Sequence, residues 1–184
     1  MEYIDVPYTA CFKETMAALD APGCLLVTQG HEGSLNAMVI GWGIIGTIWQ
    51  KAIFTVLVRP SRFTYQLLEE GSAFTVCVPT PAMRPIVDFC GNKSGRSHDK
   101  FRELSLGTVP STQISVPGVA GSAVIYECQP VHVNDLIPQA LIAQVQERFY
   151  PQGDFHRVYF GEILAVRAAK GTGGAAGQVA EDQA

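Results

Sequence analysis

The sequence predicts a mainly β, antiparallel architecture with peripheral helices. Three observations predict it. Apolar runs rich in β-branched and aromatic residues recur at 24–28, 35–42, 52–58 and 73–78. Turn-forming residues separate them, as in Gly30-His31-Glu32-Gly33. The early strands also follow one another without intervening helices, which disfavours a doubly wound βαβ domain and favours an antiparallel barrel with helices at its ends.

Each element has a local reason. Residues 8–19 read as a short helix, ended by Pro22-Gly23. Ser61 is expected to cap a helix running to Glu70, with Gly71 in the position after its end. Pro79, Pro81 and Pro85 introduce a looped or helical region up to Cys90. Residues 91–96 form a glycine-containing loop, and 97–104 a short helix. A long strand covers 119–133, a helix starts at Pro138 and ends near Arg148, and 155–166 is the last strand. Beyond residue 168 the chain is Gly, Ala and Gln without pattern. The expected organisation is therefore one domain over 1–168 and a disordered tail over 169–184.

Composition narrows the function. A chain of 184 residues supports one sizeable core. Its net charge of −4 argues against a general nucleic-acid binder, which needs a broad basic face, and leaves room for a small local anion site. The five cysteines include no CxxC pair, so reduced, buried thiols are expected rather than disulfides or a metal centre. No basic start leads into an apolar run, and a cytoplasmic protein is expected. The uncharged stretch 33–50 contains Asn36, glycines and β-branched residues, so paired strands explain it better than a membrane span.

Gly41-Trp42-Gly43-Ile44-Ile45-Gly46 matches the GxGxxG pattern of dinucleotide folds. That fingerprint works only where a helix follows. Here the continuation, Thr-Ile-Trp-Gln-Lys-Ala-Ile-Phe-Thr-Val, is strand-like. The glycines are read instead as a bend between paired strands, or as room for a flat ring near the backbone.

Chemistry concentrates in three places. In Arg59-Pro60-Ser61-Arg62-Phe63-Thr64, Arg62 falls in the expected first helical turn. A helix start already carries partial positive charge, so an arginine there is locally unfavourable unless an anion is bound. A solvated arginine pair is the alternative. In the acidic chain, Lys93, Arg96, Lys100 and Arg102 make a basic turn without the spacing of a phosphate-binding P-loop. On the strand 35–42, alternation places Asn36, Met38, Ile40 and Trp42 on one face. This face is either ordinary core with a satisfied Asn or a platform for an amphipathic ring.

Taken together these motifs resemble the flavin reductase-like, FMN-binding split-barrel family, and within it the flavoredoxin-type branch. The residues carrying the resemblance are Asn36-Ala-Met38 with Trp42-Gly43, then Val58 through Thr64, then Cys90-Gly91 through Ser94-Gly95-Arg96 to Asp99-Lys100-Phe101. Phe149-Tyr150-Pro151 and His156 with Tyr159-Phe160-Gly161-Glu162 complete it. The resemblance implies an antiparallel split barrel that forms a homodimer and holds FMN near the subunit interface. It puts the phosphate near Arg59, Ser61, Arg62 and Thr64 and the ring near Asn36, Met38 and Trp42. It adds Cys90, Ser94, Gly95 and Lys100 as further contacts. Ser97 departs from the pattern, which has an acidic residue there.

The function this implies is an oxidoreductase that passes electrons from NADH or NADPH through FMN to flavin or another small acceptor. The alternative is an FMN electron carrier reduced by a partner protein. His156 is the side chain expected on the substrate side, as a catalytic residue or simply as a surface or interface histidine. No metal ligand set is expected.

Overall fold

The computed structural model describes residues 1–172. Ten strands and five α-helices follow the order β1 (Tyr3–Asp5), α1 (Phe12–Asp20), β2 (Cys24–Gln29), β3 (Leu35–Ile40), β4 (Gly43–Ile48), β5 (Lys51–Val58), α2 (Phe63–Glu70), β6 (Phe74–Val78), α3 (Arg84–Asn92), α4 (Lys100–Glu103), β7 (Thr108–Val109), β8 (Gly118–Val119), β9 (Val124–Asp135), α5 (Ala143–Phe149) and β10 (Arg157–Ala169). Short 3-10 turns at Pro81–Met83 and Pro138–Ala140 precede α3 and α5. The helix expected from Pro138 is therefore broken in two. Ala169, expected to begin a disordered tail, is instead buried and pairs with Tyr3 as the end of β10. Residues 173–184, the remainder of the stretch expected as a tail, lie outside the described residues.

Eight strands form one antiparallel sheet in the order β3-β2-β6-β9-β10-β5-β4, with β1 also paired to β10. Strands β2 and β6 and the first five residues of β9, Val124–Cys128, lie inside this order and bury both faces, which is why they read as nearly continuous apolar runs. Alternate residues serve two cores. Leu26, Phe74, Val76 and Tyr126 join one with Phe54, Val56 and Tyr159. Leu25, Val27, Cys77 and Ile125 join the other, with Val87 and Cys90 of α3. All five cysteines are free and buried, as expected.

The edge strands β3 and β4 are adjacent in sequence, with only Gly41-Trp42 between them. Ile40 and Gly43 are thus at most about 11 Å apart. The two edges of the sheet must approach each other at this corner, so the sheet is coiled like a barrel with an opening beside it. Gly43 is required here, since a Cβ would lie 2.9 Å from the Thr55 carbonyl oxygen. Gly46 continues into a strand, which disposes of the dinucleotide-fold pattern. The β4–β5 hairpin turns through Trp49 and Gln50, both at positive φ (55° and 60°) without a glycine.

Sequence reasoning missed β1, the short β7–β8 pair and one buried ion pair. Glu127 is fully buried on β9. It accepts the backbone N–H groups of Thr112 and Gln113 and faces Arg167 Nε at 3.1 Å. One carboxylate thus ties the 111–117 loop to the sheet. Glu127→Ala would strand the arginine and both amides. It should cost about 3–5 kcal/mol, read as a lower urea midpoint at an unchanged slope.

Candidate active site

A cleft of about 330 Å³ opens beside the β3–β4 corner. That is within the roughly 300–1,000 Å³ common for small-ligand sites. The end of β5 and the start of α2 form one wall, β3 the floor, and the end of α3 with the loop after it the other wall. All twelve residues singled out by sequence line it: Asn36, Met38, Trp42, Arg59, Ser61, Arg62, Thr64, Cys90, Ser94, Gly95, Lys100 and His156. Leu57, Phe63 and Lys93 also line it.

The floor is polar and buried. Asn36 Nδ2 donates to Thr64 Oγ1 at 2.8 Å, which joins β3 to α2. Lys100 is only 3% exposed and donates to the Ala37 and Cys90 carbonyl oxygens at 2.7 and 3.0 Å. An ammonium has three donors, so one N–H is left over at the cleft. Burial, with Arg62 nearby, holds this lysine below the ordinary lysine value. Burial also raises the Cys90 thiol, against the opposing pull of Lys100, so Cys90 packs as a neutral thiol. Gly95 closes against this floor. A Cβ there would collide with Asn36 Oδ1 and stand 2.6 Å from Phe63 Cδ1.

The two arginines divide their work. Arg59 donates to the Asp154 and Phe149 carbonyl oxygens at 3.1 and 2.8 Å, and its guanidinium lies over the Tyr150 ring. It anchors the 149–156 loop. Arg62 is exposed on the cleft wall and takes part in none of the ion pairs among the described residues. Ser61 is not the helix cap that its position suggests. Its hydroxyl and N–H both go to the Asp154 carboxylate, at 2.6 and 3.1 Å. Arg62 is the cap residue, and no side chain caps α2. The Asp154 carboxylate, 93 residues away, outcompetes the local helix amides, and no local sequence signal points to it. Gly71 ends the helix in an extended conformation, not a left-handed one.

The far end of the cleft is aromatic. His156 is buried, with Nδ1 2.8 Å from the Tyr150 hydroxyl and its ring 5.0 Å from that of Trp42. Phe149 meets Trp42 edge-on. Burial, followed by the charge of Arg59, pushes the His156 imidazole down to about 4, with Asp154 opposing. The ring is therefore neutral at pH 7. Burial also raises the Tyr150 phenol, which keeps its proton. When that phenol donates to Nδ1, the ring's own proton sits on Nε2. Sequence reasoning found His156 but missed Tyr150 as its partner, six residues away.

A model of the flavin reductase like domain matches residues 16–178. The chain belongs to the flavin reductase like domain family. Three solved structures share its fold. Flavoredoxin of Desulfovibrio vulgaris (Miyazaki F) is 25% identical, with a TM-score of 0.64 over 81% of this chain and 70% of its own. An FMN-binding protein from Thermus thermophilus, solved with p-hydroxybenzaldehyde, is 21% identical, with a TM-score of 0.65 over 81% and 72%. A flavin reductase-type protein with a split barrel domain from Shewanella frigidimarina is 15% identical, with a TM-score of 0.64 over 85% and 73%. The antiparallel sheet with its peripheral helices is thus a split-barrel fold of this family. Among the described residues no helix is long and apolar enough to cross a membrane.

The neutral state of His156 has a consequence for stability. Its native value lies below the roughly 6.5 of an unfolded imidazole. The unfolded chain therefore binds the extra proton between those values. The contribution of the neutral ring is complete above about pH 6.5 and lost as pH falls toward 4. His156→Gln should flatten this part of the stability-against-pH curve, measured by urea unfolding at several pH values. An unchanged slope would contradict the neutral buried ring.

Proposed function

We propose that the cleft binds FMN and that the chain is an oxidoreductase, with NADH or NADPH as reductant and flavin or another small molecule as acceptor. One observation carries the reading. The charged residues lining the cleft are all basic, Arg59, Arg62, Lys93 and Lys100, in a chain of net charge −4. The end at Trp42, Phe149 and His156 is aromatic, with Arg59 stacked on Tyr150 beside it. An elongated ligand with an anionic tail and a flat ring matches that division. Family membership and the FMN-binding relative from Thermus support the same ligand.

Bound FMN would supply the two-electron chemistry. The protein's part is positioning and electrostatics. Arg62, Lys93 and the Ser94 hydroxyl would hold the phosphate, beside the uncapped start of α2. Arg59 acts on that end indirectly, by holding the 149–156 loop. Gly91 and Gly95 keep the wall free of side chains. The spare Lys100 N–H would favour negative charge on the ligand's polar edge. His156, kept neutral and fixed by Tyr150, would offer an Nε2 donor to the acceptor without repelling a cation.

A second proposal concerns assembly. Ile44 and Trp49 are 65% and 58% exposed on the β4 edge, and Trp49 is held at positive φ against His132 and Phe160. An apolar edge in that state needs cover, and we propose a second copy of the chain. Light scattering should give twice the chain mass, and Trp49→Glu should give a monomer. A monomeric wild type at micromolar concentration would overturn it.

The flavin reading is tested by titrating the purified protein with FMN and then adding each nicotinamide without oxygen. Saturable FMN binding is expected. Arg62→Ala should weaken it about ten- to a hundred-fold, the worth of one charge-assisted hydrogen bond. Failure of wild type to bind FMN would end the proposal. Bleaching of bound FMN that saturates with nicotinamide supports the reductase. If only dithionite bleaches it, electrons come from a partner protein, and the flavoredoxin likeness becomes the better guide.

A further inference from the structure

Ser61 lines the cleft and is gripped by a carboxylate. Asp154 Oδ1 accepts its backbone N–H at 3.1 Å, and Oδ2 accepts its hydroxyl at 2.6 Å. Arg59 Nη1 lies 4.0 Å from the same Oδ2. One anion thus holds both donors of a cleft-lining residue, next to Arg62 and the uncapped start of α2. A backbone N–H, a hydroxyl and guanidinium groups are also the donors that phosphate oxygens take. The carboxylate occupies donors that an anionic ligand in the cleft would seek.

The grip holds an unusual backbone. Gly153 and Asp154 are consecutive residues at positive φ, 75° and 57°. A residue with a side chain is uncommon there and is kept there by its surroundings. Here they are the two bonds to Ser61 and the Arg59 bond to the Asp154 carbonyl oxygen at 3.1 Å. Ser61 is fixed independently, because Arg96 donates to its carbonyl oxygen at 2.8 Å. Its donors therefore keep their place if the acceptor changes. The Asp154 side chain is 32% exposed, so water can solvate it once it lets go, and its bonds carry only a modest net gain.

We propose that Asp154 competes with the ligand's phosphate for Ser61 and thereby determines which anions the cleft retains. The proposal rests on the flavin reading of the cleft. A carboxylate and a phosphate cannot both take the same N–H and hydroxyl hydrogen, and like charges placed so close repel. A terminal phosphate monoester carries about two negative charges near neutral pH. With Arg62 and Lys93 beside it, it displaces a singly charged carboxylate. A ligand ending in a carboxylate only equals Asp154 and gains nothing at Ser61. Asp154 is thus a specificity-determining residue that weakens the hold on phosphate and shuts out weaker anions.

The experiment compares FMN with riboflavin, the same ring without the phosphate, on the wild type and on Asp154 and Ser61 variants. The ratio of the two affinities should rise about ten-fold in Asp154→Ala, and should do so at high salt as well as low. High salt screens the effect of a merely nearby charge but not the occupation of a donor. Ser61→Ala should lower the ratio about ten-fold when Asp154 is already Ala, and clearly less in the wild-type background, where it also removes the competitor's bond. Asp154→Asn keeps an oxygen for the Ser61 N–H and should raise the ratio by a smaller factor, which covers the case of an alanine variant that loses its loop. An unchanged or lower ratio in both Asp154 variants would overturn the proposal. So would an equal effect of Ser61→Ala in the two backgrounds, which would make Asp154 a fixed brace of the loop. A second arm uses no flavin. Inorganic phosphate is titrated against the wild type and Asp154→Ala and followed by the Ser61 amide resonance. Half-saturation is expected at about ten-fold lower phosphate in the variant, and equal values would count against competition. If that shift occurs in a protein that takes up no FMN, the competition stands and only the flavin reading falls.

Discussion

The site depends on one buried ammonium. Lys100 carries its charge into an almost fully buried position, where an unpartnered cation would be prohibitively unfavourable. It resolves this by donating to two backbone carbonyls, Ala37 on β3 and Cys90 on α3. An edge strand leaves part of its backbone without a strand partner, and here a side chain supplies a donor instead. The same strand is tied to α2 by Asn36 and Thr64. The sheet edge is thereby fixed from both sides, and the cleft walls keep their separation. A lysine chosen only as a ligand contact would not need two carbonyls, so its first role is to build the site.

Much of this was legible in the sequence because it rests on local pattern. Continuous apolar runs locate β2, β6 and β5, and turn residues locate the β2–β3 hairpin. The family resemblance names residues from distant parts of the chain that the fold brings to one cleft. What the sequence hides is competition at long range. Ser61 has the residue type and position of a helix cap. Asp154 offers it two stronger bonds from across the molecule, and the cap role is lost. The buried Glu127–Arg167 pair is invisible for a similar reason. A glutamate in a strand reads as solvent-facing until another loop brings its amides to it. The break after Pro138 is of another kind. The chain there buries nothing, so no packed face sustains a continuous helix.

Arg59 and Arg62 show why spacing alone leaves residue roles undecided. They stand three positions apart and share one motif. Arg59 turns inward to the Phe149 and Asp154 carbonyls, and its guanidinium is occupied by structure. Arg62 stays on the cleft wall. Their charges nevertheless act together on the same neighbour. Both lower the imidazole of His156, with Arg59 the stronger after burial itself.

That coupling gives the cleft its polarity. Positive charge is concentrated where α2 begins and where the 93–95 loop passes. If His156 were also protonated, the aromatic end would repel a cation and attract the tail of an anionic ligand, and a ligand could lie in either direction. Burial, Arg59 and the Tyr150 hydroxyl together keep the imidazole neutral. The imidazole then adds no charge to the aromatic end, where Arg59 already lies over Tyr150, and Arg62, Lys93 and Lys100 are the cations of the remaining lining. The loop anchored by Arg59 thus carries the neutral His156 into the cleft lining.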